Sequence, residues 1–157
     1  MSHFTHFCEG ETVDLGAHTF TADEIISFAR RYDPQPFHVD AEAAKNSFLG
    51  GLCASGWHTS AIWMRLMTAH AASVSPPIGG LLTGLSPGFD KLRWLKPVFA
   101  GDTIRYTTTC TGKRKLNSRP GWGIVHSDNE GRNQHDAPVF SFKATVLLPI
   151  SQETVSA

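Results

Sequence analysis

The hydrophobic period changes twice along the chain. From Thr12 to Phe20 the pattern suits a short strand. After Thr21 the spacing lengthens, and Ile25, Phe28 and Ala29 recur at helical intervals, which predicts a helix over 22–31. Thr21 and Glu24 read as a capping box, in which the hydroxyl accepts from a first-turn N–H and the carboxylate reaches back. The helix should end at Tyr32-Asp33-Pro34, because proline supplies no N–H and restricts its predecessor. Asp40 is placed to cap a second short helix over 41–46, and Ser55 a long one from Gly56 to about Ala72. The long helix is apolar almost all round, which implies burial against a sheet. Ser75-Pro76-Pro77 stops it.

Beyond Gly79 the chain reads as strands. Leu81–Leu85 and Phe89–Leu95 are candidates, the latter with Leu92 and Trp94 on one face. Residues 102–116 alternate, placing Ile104, Tyr106, Thr108 and Cys110 on one side. Residues 117–121 form a turn, and Trp122–Ser127 continues the sheet. The polar run Asp128–Asp136 reads as a loop or hairpin end. Residues 139–148 close the pattern, with Phe140, Phe142, Ala144, Val146 and Leu148 on one face. One strand, then helices, then strands joined by short turns indicates α+β: an antiparallel sheet packed on a buried helix. No repeat or compositional break divides the 157 residues, so a single domain is expected, with its core over about 11–148.

Composition excludes several function classes. Hydrophobic residues make up 41% and charged residues 18%, the range of a chain that can build a core. The net charge is zero, so no global field draws nucleic acid or anionic lipid, and neither is expected as a partner. Lys113-Arg114-Lys115 reads as a solvated hairpin end, although a phosphate-bearing substrate would suit it. Cys8, Cys53 and Cys110 are odd in number and show no CxxC pairing; reduced thiols in a cytoplasmic protein are the simple reading. No signal peptide is evident. The apolar stretch from Leu52 to Ala72 carries too many polar residues for a membrane span. His3 to Cys8 reads as an ordinary terminal segment. No HExxH or comparable spacing appears, so no metal is expected. The absence of a GxSxG elbow argues against a hydrolase nucleophile.

The run Tyr32-Asp33-Pro34-Gln35-Pro36-Phe37-His38-Val39-Asp40 carries the candidate chemistry. Two prolines pin a carboxylate and an imidazole five positions apart, on backbone expected to be non-helical, with Asp33 and Gln35 extended. A rigid turn suits an acid/base pair that must hold a water. Taken singly, each residue has a plainer reading: an Asp before Pro as a turn residue, a His beside a Phe as structural, Gly56 as a helix start.

Together these residues resemble the signature of the MaoC-like hydratases, the (R)-specific enoyl-CoA hydratases of the hotdog superfamily. That signature runs Asp-x-Asn-Pro-x-His, followed after five residues by a small residue. Asp33, Pro36 and His38 match, and Ala44 is the small residue. Gln35 replaces the usual Asn, and Tyr32 the Gly that often precedes the Asp. Cys53-Ala54-Ser55-Gly56-Trp57 resembles the start of the family's central helix, and residues 93–103 its strand-turn-strand. The resemblance implies a hotdog fold, a curved antiparallel sheet wrapped around a long helix, and addition of water to a 2-enoyl thioester or its reverse. It implies Asp33 as principal base, His38 as its partner, and the Gly56 N–H as donor to the thioester oxygen. Ser55 could also donate, although capping should occupy its oxygen. Gln35, Phe37, Ser55, Trp57 and Arg93 are the expected substrate contacts. Phe37, Leu52, Trp57 and Trp63 would line an acyl pocket suited to short groups, and Arg93, Lys96 or Arg119 would meet coenzyme A phosphates. No organic cofactor is expected. The expected partners are an acyl-CoA (or acyl-carrier-protein) thioester and a second copy in a homodimer. Two alternatives stand beside this: a hotdog thioesterase, disfavoured because the Asp lies on a loop, and a non-catalytic acyl-CoA-binding module.

Overall fold

The computed structural model describes residues 2–150. In chain order its elements are α1 (His3–His6), β1 (Thr12–Thr19), α2 (Ala22–Tyr32), α3 (Pro36–Val39), α4 (Ala41–Lys45), α5 (Gly56–Val74), β2 (Leu85–Trp94), β3 (Thr103–Lys115), β4 (Trp122–Arg132) and β5 (Pro138–Pro149). The five strands form one antiparallel sheet in the order β1-β3-β4-β5-β2, the curved hotdog sheet with α5 as its central helix.

Local signals set most boundaries. The capping box forms on both sides: the Glu24 N–H donates to the Thr21 hydroxyl, and the Thr21 N–H to the Glu24 carboxylate. Asp40 caps α4 by accepting from the N–H groups of Glu42 and Ala43. Ile104, Tyr106, Thr108 and Cys110 form the buried face of β3, as the alternation predicts. Tyr106 also ties the sheet to the first turn of α5, its hydroxyl donating to the Thr59 carbonyl at 3.0 Å. The main core lies between sheet and helices, around Phe20, Ile25, Trp63, Tyr106 and Phe140.

Six expectations need correction. His38 lies on a helix after all: Pro36 is the first residue of one-turn α3, where its missing N–H has no intrahelical partner to lose. Leu81–Leu85 is not a strand; Ile78 and Leu81 close a tight turn, and β2 begins at Leu85. Asp128–Arg132 is strand and not loop, paired on one side with β3 and on the other with β5. Its inward positions, Ser127, Asn129 and Gly131, are not apolar, so hydrophobic alternation could not reveal it. The long helix is not buried all round: Trp57 and Met64 share an exposed stripe, 52% and 47% accessible. Ser55 precedes α5 but makes no side-chain cap. Lys113 also does more than sit at a solvated hairpin end, because its ammonium donates to the carbonyls of Phe4 and Phe7. Phe4 lies where a Cβ on Gly123 would be, so the N-terminal segment is fastened across that end of the sheet. Among the described residues, no helix is long and apolar enough to cross a membrane.

Candidate active site

α2 ends at Asp33, and Pro34-Gln35-Pro36 turns the chain immediately into α3. Asp33 has φ −154° and ψ 68°, and Gln35 is extended, so neither continues a helix. This corner brings Asp33 Oδ2 within 3.4 Å of His38 Nε2. His38 is 6% exposed. Its Nδ1 lies 2.6 Å from the carbonyl oxygen of Cys53. A carbonyl can only accept, so Nδ1 carries the proton, and in neutral His38 the lone pair is on Nε2, facing Asp33. Cys53 is itself fixed by backbone bridging to Phe99, while the neighbouring Ala54 N–H donates to Val98. The imidazole is therefore aimed by a main-chain framework.

Both oxygens of Asp33 accept from side chains. Gln35 Nε2 donates to Oδ1 at 2.7 Å, and Ser55 Oγ to Oδ2 at 2.7 Å. Burial pushes the Asp33 carboxyl up, but the hydrogen bonds from Gln35 and Ser55, with the charge of His38, outweigh it and hold the group below its ordinary value. Ser55, fully buried, thus spends its hydroxyl on Asp33 and not on capping the helix. An Asx- or Ser-capping rule could not have found this contact. Gln35, the departure from the usual Asn, supplies the second donor.

Gly56 is the first residue of α5, and its N–H and that of Trp57 have no partner within the helix. The partial positive charge of a helix N-terminus is centred there. Gly56 does not leave open space at its missing side chain, as the sequence suggests. A Cβ there would come within 2.3 Å of the Trp94 indole, which lies across the glycine. His38, Gly56 and Trp94 line a cavity of about 220 Å³ that also takes in Phe37, Lys96 and Val139. Phe37 borders the histidine's cavity. Trp57 and Trp63 line a separate apolar cavity, and Leu52 belongs to the core. Arg93 stands apart, in a polar groove with Lys91, Arg132 and Lys143, while Lys96 borders the His38 cavity.

A second imidazole–carboxylate contact lies nearby. His58 Nε2 is 3.5 Å from Glu24 Oε1, and the ring stacks on Phe28 at 4.5 Å with 6° between planes. Glu24 also pairs with His18 at 2.5 Å. His58 borders neither of the two cavities just described.

Comparison with known proteins places the chain in a family. A family profile described as MaoC like domain matches residues 7–126. The chain is 35% identical to a structure titled MaoC-like dehydratase from Rhodospirillum rubrum, covering 92% of this chain and 94% of that one with a TM-score of 0.79. It is 27% identical over 142 residues to the uncharacterized protein YdeM of Bacillus subtilis, covering 90% of this chain and 95% of that protein. A stretch of 61 residues is 39% identical to a mesaconyl-CoA hydratase of Cereibacter sphaeroides, spanning 39% of this chain but 18% of that protein.

Proposed function

We propose that this chain, which belongs to the MaoC-like dehydratase family, is a hydro-lyase for acyl-CoA thioesters, hydrating a 2-enoyl group or dehydrating a 3-hydroxyacyl group. The observation that carries this reading is the 3.4 Å approach of Asp33 Oδ2 to a His38 Nε2 whose lone pair is exposed by the Cys53 contact. Two acceptors facing each other at this distance are served by one water, set off the line between them and donating an O–H to each. Its oxygen lone pair is then free for C3 of an enoyl thioester.

As the C3–O bond forms, Asp33 takes a proton from that water, and the Asp33–His38 pair returns a proton to C2 on the same face. The donors from Gln35 and Ser55 keep Asp33 ionised through the neutral range and let it release the proton readily. Negative charge developing on the thioester oxygen is met by the free N–H of Gly56 at the start of α5. Ser55 positions Asp33 in this reading, and Phe37 and Lys96 border the substrate. The partial match to a mesaconyl-CoA hydratase supports a coenzyme A thioester. The edge strand β2, which carries the exposed Leu85 and pairs on one side only among the described residues, is a sheet edge that a second copy would cover, making a homodimer of single-domain chains. Three free thiols suit a cytoplasmic setting.

The test is turnover of a panel of trans-2-enoyl-CoA substrates, followed by loss of enone absorbance, with Asp33→Asn and His38→Ala beside the wild type. Hydration that collapses in both variants is expected. Release of free coenzyme A would replace this reading with a thioesterase. Binding without either reaction would replace it with a non-catalytic module.

A further inference from the structure

The His38 cavity has a neighbour. Between α5 and strands β2 and β5 lies a second cavity, also about 220 Å³, whose wall is almost wholly apolar. The two are bounded by nearby residues of the same three elements. Gly56, Trp94 and Val139 face the His38 side, and Trp57, Leu92 and Phe140 face the other. The only aromatic contact between the two linings is Trp57 against Trp94, edge to face with centroids 5.1 Å apart. Each cavity is smaller than the roughly 300–1,000 Å³ of an ordinary small-molecule site, and opened into one they would fall within that range.

We propose that the Trp94 indole, seated on Gly56 and braced by Trp57, is the partition that sets acyl length, confining the substrate to short acyl thioesters. This rests on the hydro-lyase reading above. The seat is specific: only a residue without Cβ admits the ring at this point, because a Cβ on Gly56 would lie 2.3 Å from it. The half-exposed indole lines the His38 cavity and, through its contact with the half-exposed Trp57, stands between that lining and an apolar space with room for further methylenes. Edge-to-face packing on Trp57 holds it there without a hydrogen bond, so its removal leaves no polar group stranded. The apolar cavity is then a latent extension of the acyl site.

The experiment compares kcat/KM for four-carbon and eight-carbon trans-2-enoyl-CoA in the wild type, Trp94→Ala and Trp94→Leu, with folding checked by circular dichroism. The wild type should strongly prefer four carbons. The eight-to-four ratio should rise at least about tenfold in Trp94→Ala, and in the same direction but less in Trp94→Leu, which keeps an apolar cover on Gly56. Calorimetric binding of saturated butyryl- and octanoyl-CoA to the same proteins should show the same reordering, and it reads the partition even if no enoyl-CoA is turned over. Failure of all hydration with the binding reordered would sink the hydro-lyase reading alone. Wild-type ratios in the folded variants, or a wild type that takes eight carbons as readily as four, would overturn the partition.

Discussion

Two buried histidines, His38 and His58, each approach a carboxylate at nearly the same distance, 3.4 and 3.5 Å. Their surroundings differ in every other respect. His38 has its proton fixed at Nδ1 by a main-chain carbonyl and borders a cavity beside a helix N-terminus. Its carboxylate is held by two neutral donors. His58 is held between Phe28, stacked on its face, and Phe20, packed edge-on, and its Nδ1 has no hydrogen-bond partner among the described residues. Glu24 is committed to His18 and to the start of α2, while Arg65 donates to the remaining nitrogen of His18. An imidazole near a carboxylate is therefore not a site by itself. What distinguishes the two is a fixed tautomer, a carboxylate not already committed to a second histidine, and space for a reactant.

The widest separation is expected from disabling each pair. His38→Ala and Asp33→Asn should lower kcat/KM for enoyl-CoA hydration by roughly 10²–10⁴-fold, the usual range for losing general acid–base assistance. Glu24→Gln should stay within a few-fold while lowering the melting temperature. A large loss of turnover in a folded Glu24→Gln protein would erase the distinction. Gly56→Ala comes next. The new methyl meets the Trp94 ring, an overpacking that typically costs about 1–3 kcal/mol. The double variant Gly56→Ala/Trp94→Ala should recover part of that stability in chemical denaturation.

Two smaller effects sharpen the contrast through pH. In the wild type, the Asp33 carboxyl itself should titrate below the ordinary carboxylate range in side-chain carboxyl NMR, because its burial is outweighed by the hydrogen bonds from Gln35 and Ser55. Gln35→Leu removes one donor, so that titration should move up. An unmoved titration in a folded Gln35→Leu protein would show that Gln35 does not tune the group. His58 works in the opposite sense. Burial lowers its affinity for a proton below that of an ordinary imidazole, outweighing Glu24 nearby. Its contribution to stability is thus complete above about 6.5 and declines as pH falls from there toward the depressed folded value. Thermal melts between pH 7 and 5 should show a shallower decline in His58→Phe than in the wild type. Part of the decline should persist, because burial also lowers His3.

The sequence is most legible where a local rule acts alone. The Thr21–Glu24 capping box, the Asp40 cap and the alternating face from Ile104 to Cys110 all form as their residues indicate. Each depends on neighbours a few positions away. The meeting of Asp33 with His38 is legible for the same reason: five residues and two prolines leave the chain little choice. Reading fails where the deciding partner is remote. Ser55 looks like a cap until Asp33, brought close by the turn of the chain, takes its hydroxyl. Gly56 looks like an open approach for a ligand until β2 lays Trp94 across it. Asn129 and Ser127 look like loop residues because their burial comes from pairing on both sides, which composition does not record. Arg93 and Trp94 are neighbours in sequence, but the strand's alternation sends them to different cavities.

The strand order carries one more consequence. β2 is made before β3 and β4, yet among the described residues it pairs in the sheet with β5 alone, which follows them both. On the ribosome, Asp33, His38 and Gly56 leave the exit tunnel early, but Trp94 has no strand to lie against until Pro138–Pro149 has emerged. The wall of the cavity is thus completed last, by a long-range pairing that must wait for two intervening strands. A nascent chain stalled short of β5 would hold the proposed acid–base pair and still lack the wall that bounds its cavity.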